Sequence, residues 1–273
     1  MPPDRSQNGN GNGATRASLK AELEDRIRRI EGVGQRRDRA VVPLGVEAVD
    51  AHLPWGGLPT ACVHEVAGSA LTGAGAATGF CAVLLSRLAA EGADKAGQAR
   101  PVLWLEQGDD LYMPGLVRYG LSAEQLFLVS RLRKGTDCLW AMEQALRCPA
   151  LAAVIAEVDA VSLTAGRRLQ LAAEEGGVSG LVLARPSATR AGSPAGAFVT
   201  RWQVAAQPSL SEDGLPGVGA PAWQVDLTHC RSGRPGSWSL LWREEPGCLE
   251  HIDEDHESEA DGQAALPSLR IVG

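Results

Sequence analysis

Short apolar runs alternate with amphipathic segments through the middle of the chain. The apolar runs predict strands at 61–67, 101–106, 126–130, 151–158 and 180–186. Apolar positions at helical spacing predict helices at 77–92, near 111–120, at 136–148 and at 163–175. Continuously apolar strands separated by helices are typical of a parallel sheet covered on both faces. The pattern therefore predicts an α/β domain with a mostly parallel sheet.

The pattern changes after residue 198 to strands without helices between them. These strands are FVTRWQVAA (198–206), AWQVDLTHC (222–230) and GSWSLLWRE (236–244). The turn sequence RSGRPG separates the last two, which predicts a C-terminal antiparallel hairpin at the sheet edge. Four of the seven tryptophans fall here, at 202, 223, 238 and 242. Packing is the commoner role for indoles on alternating strands, and base stacking is the alternative.

The region before the sheet contains one candidate helix. Leu19, Leu23, Ile27 and Ile30 stand at helical spacing with charged residues between them, which predicts an amphipathic helix over 18–31. The sequence is compatible with two interpretations of this helix: it packs on its own domain, or it binds a partner. The predicted organisation is a disordered N-terminus (1–16), the helix and a linker (17–34), a core domain (35–248) and an acidic, disordered tail (249–273).

Charge and composition narrow the possible functions. The net charge is −7, and seven acids lie in 250–261, so the rest of the chain carries equal numbers of acidic and basic residues. This balance gives no support to a strongly basic nucleic-acid-binding body. The six cysteines form no C-x-x-C pair and the five histidines show no zinc spacing, so no metal site is predicted. No apolar run of membrane-spanning length and no signal peptide are recognised, so we expect a cytoplasmic protein without membrane contact.

A glycine-rich segment has the frame of a phosphate-binding loop. Gly68 and Gly73 have the spacing of the G-x-x-x-x-G-K-[ST] motif, but Ala74 and Gly75 stand where lysine and the hydroxyl residue belong. The loop comprises Gly68, Ser69, Ala70, Leu71, Thr72, Gly73, Ala74 and Gly75. In a working loop, lysine neutralises phosphate charge and the hydroxyl holds magnesium. We therefore expect no ATP hydrolysis, weak or absent ATP binding, and no ATP cofactor.

The segment that leads into this loop resembles the entry to the core of RecA recombinases. The resemblance lies at Gly45, Asp50, Leu53, GGLP (56–59), Glu65, Gly68 and Gly73, and it extends more loosely over about 42–243. With its defective loop, its tryptophan-rich end and fewer than 300 residues, the chain is similar to the ImuA family. These small RecA-like proteins, sometimes labelled SulA-like, belong to the bacterial inducible-mutagenesis cassette.

The resemblance implies a RecA-like P-loop NTPase core whose catalytic positions are altered. Alignment places Gly108 where the recombinase has its catalytic glutamate, with Glu106, Asp109 and Asp110 nearby. It also places Val158 at the metal-site aspartate. The flanking acids Glu157 and Asp159 are the candidate Walker B-like residues.

The resemblance also implies a non-catalytic scaffold in SOS-induced, error-prone translesion DNA synthesis. The implied partners are an ImuB-type polymerase-like protein, an error-prone C-family polymerase and RecA, with indirect DNA contact at the nucleoid after damage. RecA proteins assemble through an N-terminal helix and strand, so the helix at 18–31 is the candidate partner-binding segment. Two alternatives remain: an ATP-dependent single-stranded-DNA-binding protein with an unorthodox loop, and a SulA-like cell-division inhibitor.

Overall fold

The computed structural model describes residues 40–69, 73–92, 100–185, 194, 196–210 and 219–252. The strands are β1 (Val41–Val42), β2 (Leu58–Pro59), β3 (Val63–Gly68), β4 (Val102–Leu105), β5 (Leu126–Val129), β6 (Ala153–Val158), β7 (Ser179–Ala184), β8 (Thr200–Leu210), β9 (Ala220–Cys230), β10 (Gly236–Arg243) and β11 (Cys248–His251). The helices are α1 (Glu47–Asp50), α2 (Gly73–Glu91), α3 (Met113–Val117), α4 (Gly135–Leu146) and α5 (Leu163–Gly176), with a 3-10 turn at Ala123–Gln125.

One mixed sheet organises the described residues. Its nine strands follow the order β11-β10-β9-β8-β3-β7-β6-β4-β5. The strands from β8 to β5 in this order are parallel, whereas β8, β9, β10 and β11 pair antiparallel in succession. The predicted α/β class, the mostly parallel sheet and the β9–β10 hairpin are therefore confirmed. The hairpin does not form the sheet edge as predicted, because β11 pairs outside β10.

Helices cover both faces of the sheet because the strands are apolar on both sides. Helix α2 and residues such as Val66, Ile155 and Trp202 form one hydrophobic cluster. Helices α4 and α5 form the other with Val154 and Val182, from the opposite face of the same strands. Gly73 of the phosphate-loop frame thus begins a helix that contributes many of the buried residues of one of these clusters.

Helix α2 is long and apolar enough to contradict the expectation that no apolar run reaches membrane-spanning length. An 18-residue window within Gly73–Glu91 has a mean hydropathy of 1.4, which meets the length and composition of a membrane span. The expectation that no apolar run reaches this length was therefore wrong. However, 67% of the window is buried within the protein, and the helix packs against β3, β7 and β8. This burial is typical of a core helix in a globular domain.

The C-terminal tryptophans pack inside the protein. Trp202, Trp223, Trp238 and Trp242 are each at most 8% exposed. The indole N–H of Trp202 donates to Thr200 Oγ1 at 2.8 Å, and that of Trp242 donates to the Arg118 carbonyl at 2.9 Å. Since these faces are buried, the packing interpretation holds and no tryptophan of these strands presents a base-stacking surface.

The ends of the domain were predicted less well than its centre. Strand β11 ends at His251, so the first three residues of the segment predicted as a disordered tail from 249 belong to the sheet. Their pairing with β10 buries Leu249. The helix predicted at 18–31, with Leu19, Leu23, Ile27 and Ile30, lies outside the described residues. The domain boundaries remain predictions.

Candidate functional site

The loop between β3 and α2 is closed by direct contact between two glycine backbones. A Cβ atom placed on Gly68 would lie 2.5 Å from the carbonyl carbon of Gly73, and one on Gly73 would lie 2.7 Å from the carbonyl oxygen of Val204. Real Cβ atoms essentially never come closer than 3.0 Å to such atoms. The amide of Ser69 donates to the Val204 carbonyl at 2.9 Å and ties the loop to β8. Both glycines are therefore required by close backbone approach.

The two positions that lack the lysine and hydroxyl residue open onto a cleft. Ala74 and Gly75 are exposed in the first turn of α2 and line the cleft. A Cβ atom on Gly75 would meet nothing within 4 Å. The nearby hydroxyl of Thr78 donates back to the Ala74 carbonyl at 2.9 Å. This helix start therefore presents backbone and small side chains to the cleft. Ala70, Leu71 and Thr72 lie outside the described residues.

The cleft lies where the central parallel strands end. Its volume is about 1290 Å³, and its walls are the first turns of α2, residues 110–119, and segments 219–221 and 242–245. Four acids line it, namely Asp110, Glu157, Glu244 and Glu245. Three arginines line it, namely Arg118, Arg185 and Arg243. No lysine is among the described residues that line the cleft.

Each of the three arginines is held by an acid. Arg118 pairs with Glu244 at 2.7 Å. Arg243 pairs with Glu250 at 2.9 Å. Arg185 reaches Glu157 at 3.5 Å and Asp110 at 3.9 Å. The positive charges of the cleft are thus already balanced by carboxylates of the protein.

The structure separates the two candidate Walker B-like acids. Glu157 lies on β6, lines the cleft and is only 8% exposed. Its carboxylate accepts the indole N–H of Trp104 at 2.8 Å. Burial raises the pKa of Glu157, although Trp104 and Arg185 act against this shift. Asp159 follows the strand at an exposed position and is not among the residues that line the cleft.

The position aligned with the recombinase's catalytic glutamate is filled by another acid. A Cβ atom on Gly108 would lie 2.5 Å from Asp110 Oδ1, so the Asp110 carboxylate occupies the space beside this glycine. Asp109 instead pairs with Arg131 at 2.7 Å, away from the cleft. Glu106 is 1% exposed, and burial raises its pKa against the effect of the Leu111 amide. Glu106 is therefore a buried acid that is not among the residues lining the cleft.

Arg185 is one of the charged cleft residues that sequence reasoning missed, and the others are Arg118, Arg243, Glu244 and Glu245. Arg185 follows β7, and its amide donates to the Val158 carbonyl at 3.0 Å, which places its side chain beside the end of β6. The only sequence signal is a single arginine at the end of the apolar run GLVLARP. Within the described part of the chain, no group of three or more His, Cys, Asp or Glu side chains is arranged to hold a metal ion.

The chain was compared with known proteins. No protein-family model matches it. Two curated relatives, from two strains of Caulobacter vibrioides and both named Protein ImuA, are each 40% identical to it over 220 residues. The match covers 77% of this chain and 87% of each relative. On this identity and coverage, the chain belongs to the ImuA family.

Proposed function

We propose that this protein is a non-catalytic, RecA-like accessory protein of inducible, error-prone translesion DNA synthesis. It acts in the cytoplasm, at the nucleoid after DNA damage, as a scaffold that works through protein contacts. Its proposed partners are the ImuB-type polymerase-like protein, the error-prone C-family polymerase and RecA. Any contact with DNA is made through these partners.

Among the described residues that line the cleft, every arginine pairs with a carboxylate and there is no lysine, and this observation carries the non-catalytic part of the proposal. A bound triphosphate brings about four negative charges, and each charge-assisted hydrogen bond to it contributes roughly 1.5 to 3 kcal/mol. Here Ala74 and Gly75 offer no charge, and the cleft's arginines already pair with acids. A triphosphate bound to Arg185 would have to compete with Glu157 and Asp110 for its guanidinium. The residues therefore do not fit ATP with magnesium.

The placement of the loop supports a RecA-like core. The loop joins central strand β3 to buried helix α2, and the cleft opens at the carboxyl ends of parallel strands, where ligands bind in open α/β sheets. The glycine contact keeps this geometry without a ligand, because it depends on backbone atoms alone. Such a core can thus persist as a scaffold.

Calorimetry with magnesium and ATP tests the non-catalytic proposal. The unmodified protein should show no binding, and the variant with Ala74→Lys and Gly75→Thr should gain it, because the Gly75 site has room for a side chain. The matched control is Ala74→Gln with Gly75→Thr, which adds similar bulk without the charge. Micromolar binding by the unmodified protein would overturn the proposal and favour the ATP-dependent DNA-binding alternative.

Partner contact requires a separate experiment. The segment 17–34 is the proposed binding element for the ImuB-type protein of the same source organism. Deleting residues 1–34 should abolish co-purification of the two proteins, while deleting 1–16 should leave it intact. Equal co-purification by both deletions would assign the contact to another surface.

A further inference from the structure

One edge of the sheet is an apolar strand that no described residue covers. Strand β5 is the last strand on its side and consists of Leu126, Phe127, Leu128 and Val129. Phe127 is 57% exposed and Val129 is 42% exposed, whereas Leu126 is buried on the opposite face. Natural proteins usually protect an edge strand with charges, proline, a bulge or a covering segment. Strand β5 carries no charge, no proline and no bulge.

The opposite edge of the same sheet provides the contrast. Strand β11 carries Glu250 and His251 at exposed positions, and Glu250 pairs with Arg243 on the neighbouring strand. A further strand added there would have to desolvate these polar groups. The two edges differ in chemistry, and only β5 is suited to pairing.

The backbone of β5 has hydrogen-bonding groups directed to the open side. The Val129 carbonyl accepts from the Glu106 amide at 3.0 Å, so the groups of Val129 point toward β4. Backbone groups of successive strand residues point alternately to the two sides. The N–H and C=O of Leu128 therefore point away from the sheet, where an added strand would meet them.

We propose that β5 pairs antiparallel with β5 of a second copy of this chain. A twofold axis perpendicular to the sheet would place Leu128 opposite Leu128 of the second copy, and the outward N–H and C=O of each would close a pair of hydrogen bonds. The same register places Phe127 opposite Val129 of the second copy, and Val129 opposite Phe127 of the second copy. Both apolar side chains then pack in the closely spaced pairs of the ladder.

The charges at the ends of β5 favour the antiparallel direction. Exposed Glu124 precedes the strand, and exposed Arg133 and Lys134 follow it, whereas the nearer Arg131 already pairs with Asp109 of its own chain. Antiparallel pairing brings the basic end of one copy beside the acidic end of the other, whereas parallel pairing would bring like charges together. The strand is thus complementary to itself in hydrogen bonds, apolar side chains and charge. Because it has only four residues, we expect a weak, concentration-dependent dimer.

Sedimentation velocity of the full-length protein over a concentration series tests this pairing. The single variants Phe127→Lys and Val129→Glu should each weaken the dimer about tenfold or more, because each cross-strand pair occurs twice in the interface. The double variant should recover dimerisation, since the new lysine of one copy would face the new glutamate of the other. Leu171→Glu is the matched control, because Leu171 is 64% exposed on α5 and should leave the dimer unchanged.

Several results would overturn the proposal. A monomer at every concentration would do so, as would a dimer that survives both single variants. Failure of the double variant to recover, with circular dichroism and urea midpoints showing it folded, would refute this register. If deleting residues 1–34 abolishes the dimer while the β5 variants leave it intact, the N-terminal segment is the interface instead.

Discussion

Replacing Gly68 by alanine tests whether the loop glycines are required by backbone contact. The added methyl group would stand 2.5 Å and 2.6 Å from the carbonyl carbon and oxygen of Gly73. These are backbone atoms, so about 0.9 Å of movement is needed to reach an ordinary contact of 3.4 Å. Overpacking of this kind costs about 1 to 3 kcal/mol, and the stiffer unfolded chain returns roughly 0.4 to 1 kcal/mol. Gly68→Ala should therefore lower the free energy of unfolding by about 1.3 kcal/mol, the difference between the midpoints of these two ranges.

Gly75→Ala is the matched control, because the same methyl group is added to the same loop region. Here it meets nothing within 4 Å and lies on a helix, where alanine is better than glycine by roughly 0.5 to 1 kcal/mol. The two variants should thus shift the urea midpoint in opposite directions with unchanged slopes, as followed by tryptophan fluorescence. A Gly68→Ala protein as stable as the unmodified chain would refute the backbone-contact argument.

Two further predictions concern the acid in the cleft and the tryptophans. Because burial raises the pKa of Glu157 above its ordinary 4.5, its ionised form is disfavoured in the folded chain. The free energy of unfolding of Glu157→Gln should therefore rise relative to that of the unmodified protein as the pH rises above 4.5, with no such gain below pH 4.5. Urea unfolding of both proteins from about pH 4 to 8 measures this difference. A difference that stays constant over this range would contradict the prediction. Trp202→Ala should lower the free energy of unfolding by about 3 to 5 kcal/mol, because Trp202 is fully buried. Trp140→Ala should change it by less than about 0.5 kcal/mol, because Trp140 is 62% exposed. Equal urea midpoints for these two variants would contradict the burial argument.

The order of strands and helices was predictable from sequence because each buried strand is a short apolar run between helical patterns. Two features were not, and in both cases tertiary packing decided the outcome. Helix α2 begins at Gly73, four residues before the predicted start, although its first turn contains two glycines. Packing against β3 and β8 overrides the low helix propensity of these glycines. Strand β11 was missed because its four residues run into an acidic stretch, and only pairing with β10 makes them a strand.

The candidate site was predictable where it depends on spacing along the chain. The spacing of Gly68 and Gly73 indicated the frame of a phosphate loop, and the structure brings the backbones of these two glycines into contact. The contact between Arg185 and Glu157 was not predictable, because it depends on the register of β7 and β6, which the sequence does not reveal. The same limit applies to choosing between Glu157 and Asp159, since which acid lines the cleft depends on where β6 ends.

The cleft separates two properties that the phosphate-loop motif usually combines. The turn depends on backbone atoms, because Gly68 and Gly73 are in contact and Ser69 is bound to β8. Phosphate binding depends on a free cation at the helix start, where this chain has Ala74. The positive charge beside Glu157 and Asp110 is Arg185, which pairs with both acids and so is not free for an anionic ligand. Glycine spacing alone therefore indicates the turn, and a nucleotide-binding function also requires the cation.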